Sequence, residues 1–152
     1  MIFELFPDKA PITVSNFISL IEKKFYDGLT FHRVVKDYVI QGGSENNTCM
    51  CPSSFTIPGE FAANGYDTGL DHARGAISMA RDDDFNSAGT QFFVVHKDAH
   101  KLDGKYAAFG KLIDGYDVLD TIAAVETAPP ERENRPIVPQ VIDAMRIVET
   151  EA

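Results

Sequence analysis

The sequence contains no tryptophan, two cysteines, few basic residues and no long apolar run. Its 14 Lys and Arg residues stand against 23 Asp and Glu, which gives a formal charge of -9. This charge repels polyphosphate and anionic lipid, so we expect neither nucleic acid nor a membrane as a general partner. No stretch approaches the roughly 20 apolar residues that span a bilayer. The opening MIFELFPDKAP is too short and too acidic for a signal peptide.

The two cysteines, Cys49 and Cys51, lie in the segment TCMC, within a region rich in Ser, Asn, Thr and Pro. A one-residue spacer gives poor disulfide geometry, and the flanking residues do not supply the further ligands that zinc needs. The acidic run RDDDFNSAGTQF begins like a calcium loop but lacks its glycine and its final glutamate. The sequence therefore predicts two reduced thiols in a loop, no metal or other cofactor, and a cytoplasmic location.

The spacing of apolar residues predicts a mainly β protein with two helices. Pro11 opens the first helix, in which Val14, Phe17, Ile18 and Ile21 recur at helical spacing. The second helix is expected in YDVLDTIAAV. Strands are expected at residues 2–6, LTFHRVV, YVIQGG, GAISMA, QFFVVH, AAFGKLI and QVIDAMRIV. A chain of 152 residues with this pattern fits one domain, 1–152, built as an antiparallel barrel or sandwich.

The stretch FHRVVKDYVIQGG, residues 31–43, reads as a hairpin. With a two-residue loop at 36–37, Arg33 faces Ile40 across the strands. With a three-residue loop at 36–38, Arg33 lies directly opposite Gln41, with Cβ atoms about 5 Å apart. The sequence leaves both registers open, and only the second makes a polar pair.

Arg33 cannot act as a base, because a guanidinium keeps its proton. By itself it is most simply a solvated residue on the outer face of a strand. Strand alternation in TQFFVV, however, puts Gln91 and Phe93 on one face. Arg33, Gln41, Gln91 and a set of aromatics therefore form a face that accepts and donates hydrogen bonds but has no acid, base or metal chemistry. The sequence has no G-x-S-x-G elbow, and neither cysteine has a histidine nearby in the sequence.

Three segments resemble the cyclophilin family of peptidyl-prolyl cis-trans isomerases in their order and spacing: FHRVVKDYVIQGG, GAISMARDDDFNSAGTQFFVV and LDGKYAAFGKLIDGYDVLD. The resemblance runs from Phe3 to Val148 and is greatest to compact bacterial single-domain members. It implies a cyclophilin-like closed antiparallel eight-stranded barrel capped by two α-helices. Family members usually carry one more strand before Ile2, so the first strand is either missing here or supplied from outside.

The resemblance also implies the activity, which is rotation about X-Pro bonds of proline-containing polypeptides, by a monomer without a cofactor, in support of protein folding. The barrier to rotation is about 18 to 20 kcal/mol, because amide resonance must be broken. In the twisted state the prolyl nitrogen regains a lone pair, which a fixed cation stabilises. The resemblance gives this role to Arg33 and makes Gln41 its orienting partner. The substrate-binding residues that it implies are Tyr38, Val39, Ala80, Arg81, Gln91, Phe93, Leu102 and Tyr106.

Several positions depart from the family pattern: Tyr38 stands where phenylalanine is usual, Tyr106 where histidine is usual, and Arg81 where eukaryotic members commonly have asparagine. Lys101 stands where many cyclophilins have a tryptophan that binds cyclosporin, so we expect weak cyclosporin binding with isomerase activity retained.

Two other functions compete with the isomerase. A non-catalytic scaffold module would bind proline peptides in the same groove. A barrel that stores a small apolar ligand would need small or polar interior residues, which the bulky QFFVV and FHRVV disfavour.

Overall fold

The computed structural model describes residues 1–50 and 53–150. Cys51, and the expectation of a free thiol there, lies outside the described residues. The helices and strands are, in chain order, β1 (Ile2–Leu5), α1 (Pro11–Glu22), β2 (Arg33–Val35), β3 (Val39–Gly42), β4 (Ala76–Met79), β5 (Phe92–Val95), β6 (Ala108–Asp114) and α2 (Tyr116–Ala123). Short 3₁₀ turns occur at Ala62–Asn64, His100–Leu102 and Pro130–Arg132. Both predicted helices are confirmed.

The strands form one antiparallel sheet in the order β1-β6-β4-β5-β3-β2. Its central strands β4 and β5 are buried on both faces. One face carries Ile77 and Val94 into the main core, where α1 packs through Val14 and Phe17. The opposite face carries Phe93 into a second apolar cluster. Because side chains alternate along a strand, these strands contribute to the main core on one face of the sheet and to the second apolar cluster on the other face.

The prediction of a closed eight-stranded barrel is wrong. In the described part of the chain the sheet has six strands and ends at β1 and β2, which do not pair with each other. The strand expected at QVIDAMRIV is reduced to an isolated bridge between Thr30 and Val141. Backbone hydrogen bonds flank this bridge: Phe31 N donates to the Gln140 carbonyl at 2.9 Å and Ile142 N donates to the Leu29 carbonyl at 2.8 Å. The pairing is confined to a few residues and does not form a regular strand.

An apolar cavity of about 390 Å³ lies at this open end, between β1 and residues 141–146. Phe3, Val118 and Val141 line it. The packed interior expected from the bulky strand residues is thus incomplete here, because the sheet does not close over these side chains.

Glu60 holds the start of α1. Ala10 precedes the helix and has no side chain that can cap it. The Glu60 carboxylate instead accepts hydrogen bonds from Ile12 N at 3.3 Å, Thr13 N at 2.7 Å and Thr13 Oγ1 at 2.7 Å. An anion at a helix N-terminus satisfies free N–H groups and interacts favourably with the helix dipole. Glu60 is 2% exposed, so this contact joins the loop before Phe61 to the core.

The hairpin of β2 and β3 adopts the three-residue loop. Val35 pairs with Val39 and Arg33 pairs with Gln41. Asp37 takes a φ of 61°, and its N–H donates to His96 Nδ1 at 2.9 Å. The sheet therefore selects the register that sets a cation opposite an amide.

Candidate active site

A chain of three polar side chains crosses the outer face of the sheet, from β2 through β3 to the residue before β5. Arg33 Nη1 donates to Gln41 Oε1 at 3.3 Å, and Gln41 Nε2 donates to Gln91 Oε1 at 3.0 Å. Gln41 lies opposite both Arg33 on β2 and Phe93 on β5. The amide thereby orients the guanidinium on one side and is itself oriented on the other.

A pocket of about 150 Å³ adjoins this chain. Val39, Phe93 and Leu102 are 2%, 5% and 8% exposed and make its apolar floor. The Phe93 and Tyr106 rings meet edge to face, with centroids 5.8 Å apart and an interplanar angle of 81°. The lining residues are Arg33, Tyr38, Val39, Gln41, Ala80, Arg81, Phe93, Leu102 and Tyr106. The structure thus brings together nine of the ten residues that the resemblance implied, and we call this space the floor pocket.

A second pocket of about 230 Å³ lies beside the first and contains the tenth residue, Gln91. The two pockets share Gln41, Ala80 and Arg81. Cys49 also lines the second pocket; it has a free thiol, and burial raises its pKa. We call this space the side pocket. An extended ligand can occupy both pockets at once, because they adjoin along the segment from Ala80 to Asp82.

Arg81 separates the two pockets and is held on several sides. Its Nε and Nη2 donate to the Lys105 carbonyl at 3.1 Å and 2.6 Å, and Nη1 donates to the Asp82 carbonyl at 2.7 Å. The guanidinium carbon lies 4.5 Å from the centroid of the Tyr106 ring. It also lies 5.0 Å from the rings of Phe61 and Phe85. A planar cation suits such stacking, so Arg81 links the wall of the floor pocket to the Lys105 turn.

A buried polar chain beneath the floor pocket was not found by sequence reasoning. His72 is fully buried and its ring stacks on Phe93, with centroids 5.9 Å apart. His72 Nδ1 lies 3.0 Å from Asp103 Oδ1, and Nε2 lies 2.9 Å from Ser78 Oγ. Because an ionised carboxylate only accepts, Nδ1 carries the proton and Nε2 accepts from Ser78. Burial lowers the pKa of His72, while Asp103 opposes this shift.

The Ser78, His72 and Asp103 side chains form a serine, histidine and carboxylate series, but Ser78 is 0% exposed. Its hydroxyl cannot reach a substrate, so the chain supports Phe93 from below. His72 lies 31 residues from Asp103 along the chain. No motif spacing joins the three residues, and only the fold brings them together.

Lys101 lies at the Tyr38 edge of the floor pocket, with its Nζ 4.4 Å from the centroid of the Tyr38 ring. Burial raises the pKa of Tyr38, and Arg33 acts in the opposite direction. The phenol is therefore neutral at pH 7. The rim combines a flat aromatic surface with a cation, a geometry that stabilises both.

Within residues 1–50 and 53–150, no group of three His, Cys, Asp or Glu side chains is arranged to hold a metal ion. No helix in the same ranges is long and apolar enough to cross a membrane. The floor pocket is lined by two guanidinium groups, one amide, two phenols and apolar side chains, which can bind and polarise a ligand.

Comparisons with known proteins agree with this arrangement. Residues 1–147 match the family model described as cyclophilin type peptidyl-prolyl cis-trans isomerase/CLD. A peptidyl-prolyl cis-trans isomerase of Acinetobacter baylyi is 42% identical over 131 residues, which cover 82% of this chain and 67% of that protein. Peptidyl-prolyl cis-trans isomerase B of Bacillus subtilis is 42% identical over 115 residues, which cover 76% of this chain and 77% of that protein.

The fold is also similar to that of a solved cyclophilin. A crystal structure of a cyclophilin type peptidyl-prolyl cis-trans isomerase from Cryptosporidium parvum, solved in the presence of the dipeptide Ala-Pro, superposes with a TM-score of 0.86 at 30% identity. The superposition covers 97% of this chain and 92% of that one. The resemblance predicted from the sequence is confirmed, and the chain belongs to the cyclophilin-type peptidyl-prolyl cis-trans isomerases.

Proposed function

We propose that the floor pocket receives a prolyl ring and that Arg33 catalyses rotation about the X-Pro bond of a polypeptide. The observation that carries this proposal is the hydrogen bond between Arg33 and Gln41 at the edge of an apolar pocket. The presence of Ala-Pro in the Cryptosporidium parvum structure supports proline-containing polypeptides as the substrate class. Support of protein folding follows from the slow uncatalysed exchange of X-Pro bonds.

The reaction makes and breaks no bond to the protein, so positioned charge supplies the catalysis. The Phe93 and Leu102 floor holds the ring apart from water, and the guanidinium of Arg33 faces the lone pair that appears on the prolyl nitrogen in the twisted state. A planar amide offers no such lone pair, so Arg33 stabilises the twisted state selectively. A gain of about 7 kcal/mol accelerates exchange by roughly five orders of magnitude.

The peptide backbone is held beside the side pocket in this proposal. Ala80 N–H donates to the Gln91 carbonyl at 3.0 Å and is thereby occupied. Arg81 N–H has no hydrogen-bond partner among the described residues, so it is free to pair with a peptide carbonyl, as in strand addition. Gln91 and Gln41 lie where a residue next to the proline would pass.

The test is the cis-trans exchange rate of a short X-Pro peptide, measured by NMR with the intact chain and with Arg33→Ala. We expect fast exchange that falls about a hundredfold in the variant. Arg132→Ala serves as the matched control, because Arg132 is exposed and lies outside both pockets. Exchange at the uncatalysed rate with the folded intact chain would favour the alternative, a non-catalytic proline-peptide-binding scaffold.

Other expectations drawn from the sequence stay predictions. One isomerase domain over residues 1–152 and a monomeric state are tested by limited proteolysis and sedimentation. A cytoplasmic location is supported by the free thiol of Cys49, since such thiols persist in reducing compartments. Fractionation of cells tests it directly.

A further inference from the structure

Cations surround the floor pocket of a protein whose formal charge is -9. Arg33 and Arg81 line the pocket, and Lys101 contacts the Tyr38 ring that also lines it. None of the three cations forms an ion pair with a described carboxylate. The floor pocket therefore concentrates positive charge in a protein whose net charge is negative.

The three cations are not equally available to a ligand. The guanidinium of Arg81 is committed to two backbone carbonyls and to the faces of three rings. Asp82 follows it in the side pocket and supplies a negative charge there. Arg33 donates to Gln41. Lys101, by contrast, is exposed; its ammonium group lies beside the Tyr38 ring and makes no hydrogen bond or ion pair within the described residues.

The carboxylates nearest to Lys101 in the chain are occupied elsewhere. Asp103 accepts from His72 N at 2.7 Å and lies 2.8 Å from His100 Nδ1. Asp98 accepts from Arg74 N at 2.8 Å. No described carboxylate lies within ion-pair distance of the Lys101 ammonium group, which stands at the Tyr38 edge of the pocket.

We propose that Lys101 makes the site selective for one kind of polypeptide. In the preferred substrate, the part of the chain that passes over Tyr38, on one side of the proline, carries an acidic residue. This selectivity rests on the proposed function, in which the prolyl ring occupies the floor pocket. The Arg81 side, where Asp82 offsets the cation, shows little preference. The substrate class is thus an X-Pro segment with one acidic flank, and the preference is confined to one side of the proline.

Charge attraction at an exposed rim is modest and is screened by salt, with a Debye length of about 8 Å at physiological ionic strength. We expect the preference for Glu over Lys at the sensitive flank to be about threefold to tenfold at low salt. It should shrink toward unity in about 1 M salt.

The experiment uses five otherwise identical X-Pro peptides: a neutral one, and peptides with Glu or Lys placed either before X or after Pro. NMR exchange gives the catalysed rate for each peptide, and NMR titration gives its Kd. Each is measured with the intact chain, Lys101→Glu and Lys101→Arg. Lys9→Glu is the matched control, since it makes the same charge change at an exposed residue outside both pockets.

We expect Glu to be favoured at one flank by the intact chain, Lys101→Arg and Lys9→Glu, with the ranking reversed in Lys101→Glu. Equal rates and Kd values for Glu and Lys peptides, or a ranking that Lys101→Glu leaves unchanged, overturn the inference even if exchange is fast. A ranking in Kd without acceleration of any peptide supports the inference and contradicts the proposed catalysis. The two failures are therefore distinguishable.

Discussion

Arg33 and Gln41 lie directly opposite each other in the hairpin of β2 and β3, and Arg33 Nη1 donates to Gln41 Oε1 at 3.3 Å. Gln41 in turn donates to Gln91 Oε1 at 3.0 Å. The orientation of the cation thus depends on an amide that is itself fixed, an arrangement that preorganises charge for a transition state.

Replacement of Gln41 tests this dependence. Gln41→Leu removes both hydrogen bonds and should lower the catalysed exchange rate about tenfold. Gln41→Glu places a carboxylate beside Arg33 and should lower the rate further, because the anion competes with the prolyl nitrogen for the guanidinium. NMR exchange on one peptide ranks the three chains. A Gln41→Glu chain as active as the parent would contradict the role of Arg33.

Arg81→Lys should reduce kcat/KM about tenfold, chiefly through KM. Lysine lacks the planar fork that bonds the Lys105 carbonyl and stacks on Tyr106, so the wall between the pockets loosens. Saturation curves for exchange separate kcat from KM. Arg132→Lys is the control at an exposed arginine. A variant that lowers Tm but leaves KM unchanged would show a structural role alone.

Glu60→Gln should lower the free energy of unfolding by about 2 kcal/mol, because one carboxylate oxygen that accepts an N–H becomes an NH₂ group. The loss falls on the start of α1, where Ile12 and Thr13 donate to Glu60. Urea unfolding measures it. Glu22→Gln, at the exposed end of the same helix, should change stability by much less. Equal effects of the two changes would count against the cap.

His32 should make the protein less stable in mild acid. It is 1% exposed, and burial lowers its pKa to about 4 from the ordinary 6.5. His32 is therefore protonated below about pH 6.5 in the unfolded chain, but only below about pH 4 in the folded chain. The contribution of neutral His32 to the free energy of unfolding is fully present above pH 6.5. It is lost as the pH falls from 6.5 to 4, by up to about 3 kcal/mol.

Urea unfolding at intervals between pH 7.5 and 4.5 measures this slope. His32→Gln should flatten it, whereas His100→Gln should not, because Asp103 raises the pKa of His100 and its contribution has the opposite sign. Burial also lowers the pKa of His72, so some slope remains in His32→Gln. If the free energy of unfolding of His32→Gln depends on pH as steeply as that of the parent, His32 does not cause the loss of stability in acid.

Cyclosporin should bind weakly, because Lys101 presents a hydrated cation where an indole would cover an apolar ring system. We expect calorimetry to give no submicromolar Kd for the intact chain. Lys101→Trp should tighten binding by at least about tenfold while exchange of a neutral peptide continues. Submicromolar binding by the unmodified chain would contradict the first expectation.

The sequence by itself determined the two helices, the six strands of the sheet and the family. Apolar spacing identified both helices, and hairpin parity limited Arg33 to two partners. The ordered motifs named Phe93, Leu102 and the other pocket residues, because local pattern dictates side-chain faces and a family motif carries residue identities.

Tertiary structure decided the rest. The hairpin register depends on the turn at Asp37 and on pairing with β5. The Ser78, His72 and Asp103 chain and the Glu60 cap join residues far apart in sequence, which no local pattern records. The segment after Pro139 pairs only briefly with residues 28–31, through contacts between residues more than a hundred positions apart in the chain. Such long-range contacts are set by packing geometry, and only the folded chain contains it.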